Sequence, residues 1–394
     1  MTDPSGDAAA GPLTGLVVVA LEQAVAAPFA TRQLADAGAR VIKIERVGEG
    51  DFARHYDDAM GAGFSSWFLW LNRGKESIEV DIKTPRGIEV LRALIDRADV
   101  VVQNLVPGAL DRLGLGLDDM RRRNPRLVTC SVTGYGPDGP YRDRRAYDLL
   151  IQSEAGLVTL TGTPEQQAKA GLSVADIAGG MYAYSNVLLA LLQRGTTGVG
   201  AHVEVSLFDA LLEWLGHQVT LTESLHRLPR RAGARHATIA PYGPFPCADG
   251  RDVVIAVQNT REWRALGEAI GLGDAVDDPR FDGNDRRVAN ADALDALITQ
   301  RTSSMTSVEL IERLEAGSLA WARVNDLFAV LEHEQLRERQ RWADVAAPGG
   351  SFRALRPPMD VTGFGVQMSA VPALGEHTAA VLEWLGFPAG EEAT

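Results

Sequence analysis

Residues 16–45 read LVVVALEQAVAAPFATRQLADAGARVIKIE, and the fold turns on their reading. The run at 16–21 (LVVVAL) is short, β-branched and uncharged, the pattern of a strand buried on both faces. Residues 27–37 carry apolar side chains at helical spacing, and 40–45 (RVIKIE) returns to a β-branched run. A strand, a helix and a strand in one short stretch make a βαβ unit, whose two strands lie parallel.

The same alternation continues outward. Further strands are expected at 77–81 (SIEVD), 99–103 (DVVVQ) and 127–132 (LVTCSV). A helix over 84–97 follows Thr84-Pro85, a capping residue and a first-turn proline. The fold class is therefore α/β, a mostly parallel Rossmann-like sheet covered by helices. After a loop at 161–174 an apolar helix is expected over 177–194, and 208–218 continues helical. Residues 222–235 hold several arginines with little periodicity and read as a linker. Residues 242–257 read as two strands around Asp249-Gly250, with helices over 263–270 and 291–299. The last sixty residues hold Pro357-Pro358, a short strand candidate and a helix over 378–385. The expected division is a large domain over 1–222 completed by 335–394, and a smaller α+β domain over 223–334.

Composition bounds the function. A chain of 394 residues, 45% hydrophobic and 23% charged, is globular and too long for one ordinary core. Lys plus Arg is 39 and Asp plus Glu is 52, so the net charge is 39 − 52 = −13, which disfavours nucleic acid as a partner. Cys130 and Cys247 stand apart, with no metal-ligand spacing and no disulfide framework, as expected for a reducing cytoplasm. The first residues, MTDPSGDAAAG, lack a basic and apolar leader pattern, and no long uncharged apolar run suggests a membrane span.

Nucleotide fingerprints are missing from this α/β pattern. The turn after the first strand reads EQAVAAP where G-x-G-x-x-G would stand, and Gly74-Lys75 has Leu69 in place of the first P-loop glycine. No G-x-S-x-G elbow and no H-E-x-x-H spacing is present. Asp176, in VADIAGG, is the most suggestive position. It stands where a loop meets the apolar helix, and is expected either to cap that helix or to present a carboxylate kept ionised by backbone N–H groups and the dipole. Gly179 and Gly180, a turn later, are expected to let a substrate approach. Arg46, Lys83 and Arg112 follow the second, third and fourth strands, near the sheet edge where α/β folds bind ligands. In an acidic chain they are either solvated charges or a site for a phosphate-bearing ligand. Arg142, Arg144 and Arg145 form either a solvated cluster or a ligand clamp.

These segments together resemble the family III CoA-transferases, the group that includes formyl-CoA transferase, carnitine CoA-transferase and the 2-methylacyl-CoA racemases. The matching stretches are 39–46 (ARVIKIER), 77–85 (SIEVDIKTP), 99–112 (DVVVQNLVPGALDR), 124–136 (NPRLVTCSVTGYG) and 176–182 (DIAGGMY), in the family's order; 241–250 (PYGPFPCADG) matches more weakly. By position, the resemblance implies that Asp176 is the nucleophile. It places CoA contacts at Val25, Ala26, Arg46, Val80, Lys83, Asn104, Ala109, Arg112, Arg145 and Tyr147, and oxyanion N–H groups near Gly179 and Gly180. It also implies an interlocked homodimer threaded by linkers such as 222–235 and 331–358. Acyl-CoA and a small carboxylic acid are then the substrates, with no permanently bound cofactor.

Departures narrow the branch. Racemases of the family place a His beside an Asp before the catalytic helix; here the pair is Tyr147-Asp148, and a phenol with a reference pKa near 10 is a poor base at neutral pH. Val25 stands where formyl-CoA transferases have glutamine, and their glycine-rich lid has no counterpart in 241–250, which argues against an oxalate/formyl pair. The stretch 236–245 (HATIAPYGPF) is similar to branches acting on C4 and C5 dicarboxylates. The alternatives are a 2-methylacyl-CoA racemase or isomerase, and a CoA-binding protein without catalysis.

Overall fold

The computed structural model describes residues 11–58, 60 and 64–388. Six strands, β1 (Val17–Leu21), β2 (Arg40–Glu45), β3 (Lys75–Glu79), β4 (Val100–Gln103), β5 (Val128–Thr133) and β6 (His202–Ser206), form one sheet in the order β3-β2-β1-β4-β5-β6. Every neighbouring pair is parallel, with Val18 paired to Val41 on one side and to Val100 on the other. Helices cover the sheet, so β4 is buried throughout and β1 and β2 are buried in all but their first residues, as the apolar runs of β1 and β4 require. The chain progresses in opposite directions from β1 and β4, and in such sheets the ligand crevice opens at the carboxyl ends beside that reversal.

The first five strands lie where the sequence places them, to within two residues. The sixth, HVEVS, was not anticipated: it is an edge strand with a half-exposed alternating pattern, and only pairing with β5 reveals it. Thr84 caps the helix Pro85–Asp96 as expected, its hydroxyl accepting the Gly87 N–H at 3.0 Å. The apolar helix runs Val174–Thr197, starting earlier than expected, with Ser173 at its N-cap.

By length and a mean hydropathy of 1.2 this helix could cross a membrane, yet Ala175, Ala178, Gly179, Gly180, Ala183 and Val187 are buried on its inner face. Gly179 and Gly180 let it approach its neighbours. A Cβ on Gly179 would strike Leu207 Cδ2, and one on Gly180 would lie 2.6 Å from the carbonyl oxygen of Ala26. Because that oxygen belongs to backbone, Gly180→Ala should lower stability by about 1–3 kcal/mol. An unchanged denaturation midpoint would count against this packing account.

The described residues divide into two compact units. One comprises the described parts of Met1–Ala155, Gly171–His217 and Leu336–Thr394, and contains the parallel sheet. Its C-terminal portion adds the hairpin of β10 (Trp342–Ala347) and β11 (Gly350–Leu355), and the helix Thr378–Leu385, whose Val381 and Leu382 join the core with Leu91 and Leu94. The other unit is Gly156–Ala170 with Gln218–Gln335. There β7 (Tyr242–Pro246), β8 (Asp252–Ala256) and β9 (Ala320–Arg323) make an antiparallel sheet whose Phe245, Val253 and Ile255 pack with Trp263, Leu266 and Leu310. The stretch 222–235 is not linker throughout, because the helix Gly216–Leu225 enters it.

Candidate active site

A pocket of about 410 Å³ opens at the carboxyl ends of β1 to β4. Leu21, Glu22 and Gln23 line it from β1, Glu45 and Arg46 from β2, Val80 and Lys83 from β3, and Leu105 from β4. Three of the expected CoA contacts, Arg46, Val80 and Lys83, are thus brought into one cavity. Val80 is buried, whereas Arg46 and Lys83 are exposed cations able to meet phosphate. Arg46 donates to Gln23 Oε1 at 2.9 Å and lies 3.6 Å from Glu49.

One wall of that pocket is the turn after β1. Ala24 adopts φ 63°, a left-handed conformation that a glycine fingerprint would supply without strain. Asn104 grips Gln23 on both sides: its Oδ1 accepts the Gln23 N–H at 2.9 Å, and its Nδ2 donates to the Gln23 carbonyl at 2.8 Å. Asn104 thereby shapes the turn. Val25 is the N-cap of the helix Ala26–Asp36 and provides no side-chain cap, so the first turn of that helix lacks a side-chain acceptor of its own.

Asp176 lies in the first turn of Val174–Thr197, beyond the N-cap that sequence reasoning offered as one of its roles. It precedes Gly180 by one helical turn on the same face, and Gly180 packs on Ala26. The expectation was a carboxylate kept ionised by the helix start, and its surroundings act the other way. Removal from water, and then the nearby Asp148, push the Asp176 carboxyl up to about 7. The capping role belongs to Asp148, whose Oδ1 accepts the Ala175 N–H at 2.8 Å while Oδ2 accepts from Gln152 Nε2 at 2.6 Å.

Tyr147 caps the helix Asp148–Glu154 by position and is 62% exposed. Tyr56, which no sequence signal marked, stands beside it electrostatically: burial, then Asp51, Asp176 and Tyr147, push its phenol up to about 12. A neutral phenol near Asp176 is a hydrogen-bond donor rather than a base. Ala109 and Arg112 bound a short helix after β4, with Arg112 Nη1 donating to the Pro107 carbonyl at 3.3 Å. Arg145 is exposed in the loop before Tyr147, and its neighbour Arg144 pairs with Glu154 at 3.5 Å and covers the Tyr141 ring.

Gly179 and Gly180, expected at the substrate approach, are found packed inside the fold. Both are buried past the first turn, where backbone N–H groups belong to the helical ladder, and their missing side chains serve helix packing. Among the described residues, no group of His, Cys, Asp and Glu has a metal-holding arrangement.

Charged groups inside the sheet were also not foreseen. Glu45 accepts from Arg54 Nε at 2.8 Å and Nη2 at 2.7 Å, from Ser77 Oγ at 2.6 Å and from the Asp51 N–H at 2.9 Å. Burial alone would raise the carboxyl; the Arg54 hydrogen bonds, with Lys43 and Ser77, bring it down to about 2. In β2 the sequence gives no hint of this, because a β-branched run does not reveal which distant groups meet its Lys43 and Glu45.

Comparison with known proteins agrees with this geometry. The model of CoA-transferase family III matches residues 13–378. The chain is similar to the succinate–glutarate CoA-transferase of Agrobacterium fabrum, 34% identical over 94% of this chain and 95% of that protein. It is also similar to the acetyl-CoA:oxalate CoA-transferase of Acetobacter aceti, 32% identical over 98% and 99%. Among solved structures, a CAIB/BAIF family protein from Brucella suis superposes with a TM-score of 0.86 at 35% identity, covering 95% of this chain and all of that one. A parallel sheet with its crevice at the β1/β4 reversal, an aspartate at a helix start and a family match spanning nearly the whole chain lead to one conclusion: this chain belongs to CoA-transferase family III and is an enzyme of that family.

Proposed function

We propose that the protein transfers CoA from an acyl-CoA thioester to a free carboxylic acid through covalent intermediates on Asp176. The observation that carries this reading is the position of Asp176 in the first turn of Val174–Thr197, its carboxyl withdrawn from water in a family III chain. The Asp176 carboxylate attacks the thioester carbonyl, the C–S bond breaks, and CoA thiolate leaves an aspartyl-acyl anhydride. The thiolate then attacks the aspartyl carbonyl, releasing the donor acid and leaving an aspartyl-CoA thioester. An acceptor carboxylate runs the two steps in reverse. Each stage exchanges one activated acyl group for another, which keeps the individual barriers low.

The oxyanions formed along this route face the first turn of Ala26–Asp36, which has no side-chain cap, and the Tyr56 and Tyr147 phenols supply further donors. CoA lies along the crevice with Arg46 and Lys83 on its phosphates, and Arg112 and Arg145 extend that cationic edge. The dicarboxylate class, C4–C5 acids such as succinate or itaconate, is supported by the 236–245 stretch and by the Agrobacterium relative. Oxalate belongs in the acceptor panel because of the Acetobacter relative. The reading includes a homodimer, with CoA bound by the unit that holds the parallel sheet. Leu189 and Leu192, 61% and 70% exposed on the long apolar helix, are an apolar surface of the kind a second copy covers. Both cysteines are free and buried, which suits a reducing cytoplasm.

Incubation with succinyl-CoA and no acceptor, followed by hydroxylamine, should leave a hydroxamate at Asp176 detectable by mass spectrometry. An Asp176 that stays unmodified with a panel of acyl-CoAs rules the covalent route out.

A further inference from the structure

Four fully buried side chains form a line from β3 to the loop after β2. Lys75 Nζ lies 2.6 Å from Glu22 Oε1, Glu22 Oε1 lies 3.4 Å from Lys43 Nζ, and Lys43 Nζ lies 2.9 Å from Asp51 Oδ2. Two carboxylates face two lysines, of which Lys75 is brought down to about 7 by burial that Glu22 only partly offsets. No step at Asp176 uses them, and an apolar core would avoid their desolvation.

Asp51 is the member that reaches backbone at the site. Its Oδ1 accepts the N–H of Ala24 at 3.1 Å and of Ala53 at 2.9 Å, while Oδ2 takes Lys43. The first bond pins the turn whose left-handed alanine persists only where its surroundings over-determine it. The second caps the short turn Phe52–His55, and Tyr56, within electrostatic reach of Asp176, follows directly. Glu22, Gln23 and Asp51 all line the pocket at the carboxyl ends of the strands.

We propose that Asp51 is a positioning residue for CoA transfer: its carboxylate, oriented by Lys43, holds the Ala24 turn at the pocket and the Phe52–His55 turn that leads into Tyr56 in one fixed geometry. This rests on the assignment of Asp176 as nucleophile. In Asp51→Asn the single carbonyl oxygen turns to the Lys43 ammonium, which leaves the amide NH2 against two backbone donors and frees both segments. Adding Lys43→Met removes the ammonium, so the oxygen returns to Ala24 and Ala53, and Glu22 keeps its Lys75 partner at 2.6 Å. Asp51→Glu keeps the charge and displaces the oxygens.

The readout is the rate of hydroxylamine-trapped labelling at Asp176 with succinyl-CoA, together with kcat and KM, on variants shown to be folded by circular dichroism. Asp51→Asn and Asp51→Glu should label about 10²-fold more slowly, the loss expected of a site misplaced by roughly an ångström. The double variant should regain at least tenfold over Asp51→Asn, whereas a merely structural role makes it the worst of the three. A folded Asp51→Glu with wild-type labelling overturns the proposal, as does a double variant no faster than Asp51→Asn. Should Asp51→Asn not fold, Asp51→Glu against wild type decides alone. Wild-type protein left unlabelled at Asp176 overturns the nucleophile assignment itself, which is distinct from an unchanged rate in the variants.

Discussion

Asp176→Asn is expected to abolish CoA transfer, by at least about 10³-fold in kcat/KM, and at the same time to stabilise the fold at pH 8. Both effects have one cause. Burial and Asp148 raise the folded carboxyl to about 7, while the unfolded chain titrates near the ordinary 3.8. Between those values the folded state holds a proton the unfolded state has released, so stability falls as pH rises from about 4 to 7. The ceiling of the effect is about 4 kcal/mol, from 1.36 kcal/mol per pH unit, and partial exposure of the side chain reduces it. Asparagine mimics the protonated acid and never ionises. Its stabilisation should therefore be largest above pH 7 and vanish near pH 4, as read from denaturant midpoints across that range. Wild-type transfer should rise with pH through about 7, because the attacking species is the carboxylate. A variant no more stable than wild type at pH 8 would refute the account of a desolvated Asp176 carboxyl.

The opposite sign is expected at Glu45. Its carboxylate is held at about 2, so it contributes stability that is fully present above its ordinary 4.5 and lost as pH falls toward 2. That contribution is about 3 kcal/mol by the same conversion. Glu45→Ala additionally strands the Arg54 guanidinium, 5% exposed and lying over the Phe68 ring at 3.6 Å, without its bidentate partner. Unpairing a buried ion pair in this way costs about 3–5 kcal/mol. Denaturant midpoints at pH 7 should show that loss, and the gap between wild type and variant should narrow below pH 4.5. A gap under about 1 kcal/mol, or one independent of pH, would mean that the Glu45–Arg54 pair does not anchor this part of the sheet.

Legibility from sequence follows the range of the interactions. The runs LVVVAL and DVVVQ mark β1 and β4 because a strand buried on both faces needs a run of apolar residues, and the β-branched RVIKIE marks β2 despite its Lys43 and Glu45. Thr84-Pro85 marks a helix start because capping is settled within one turn. Arg46 and Lys83 could be placed at the pocket because a residue following a parallel strand lies at the ligand edge. Short edge strands such as β6 and β9 depend on a partner and lack that local mark. Lys43 was legible only as part of an alternating strand; its burial follows from Glu22 and Asp51, which chain reversal brings to it.

By itself, then, the sequence determined the α/β class, the order of most parallel strands, the cationic edge and Asp176 as the residue to watch. All of these rest on local periodicity or on a motif contained in one segment. Tertiary structure alone decided that Asp148 caps the helix Val174–Thr197, that burial and then Asp148 push the Asp176 carboxyl up to about 7, that Gly179 and Gly180 serve packing, and that Asp51 ties the Ala24 turn to the turn before Tyr56. Each of these depends on groups far apart in the chain meeting where water is excluded, and both the sign and the size of an electrostatic or steric effect are set by that meeting.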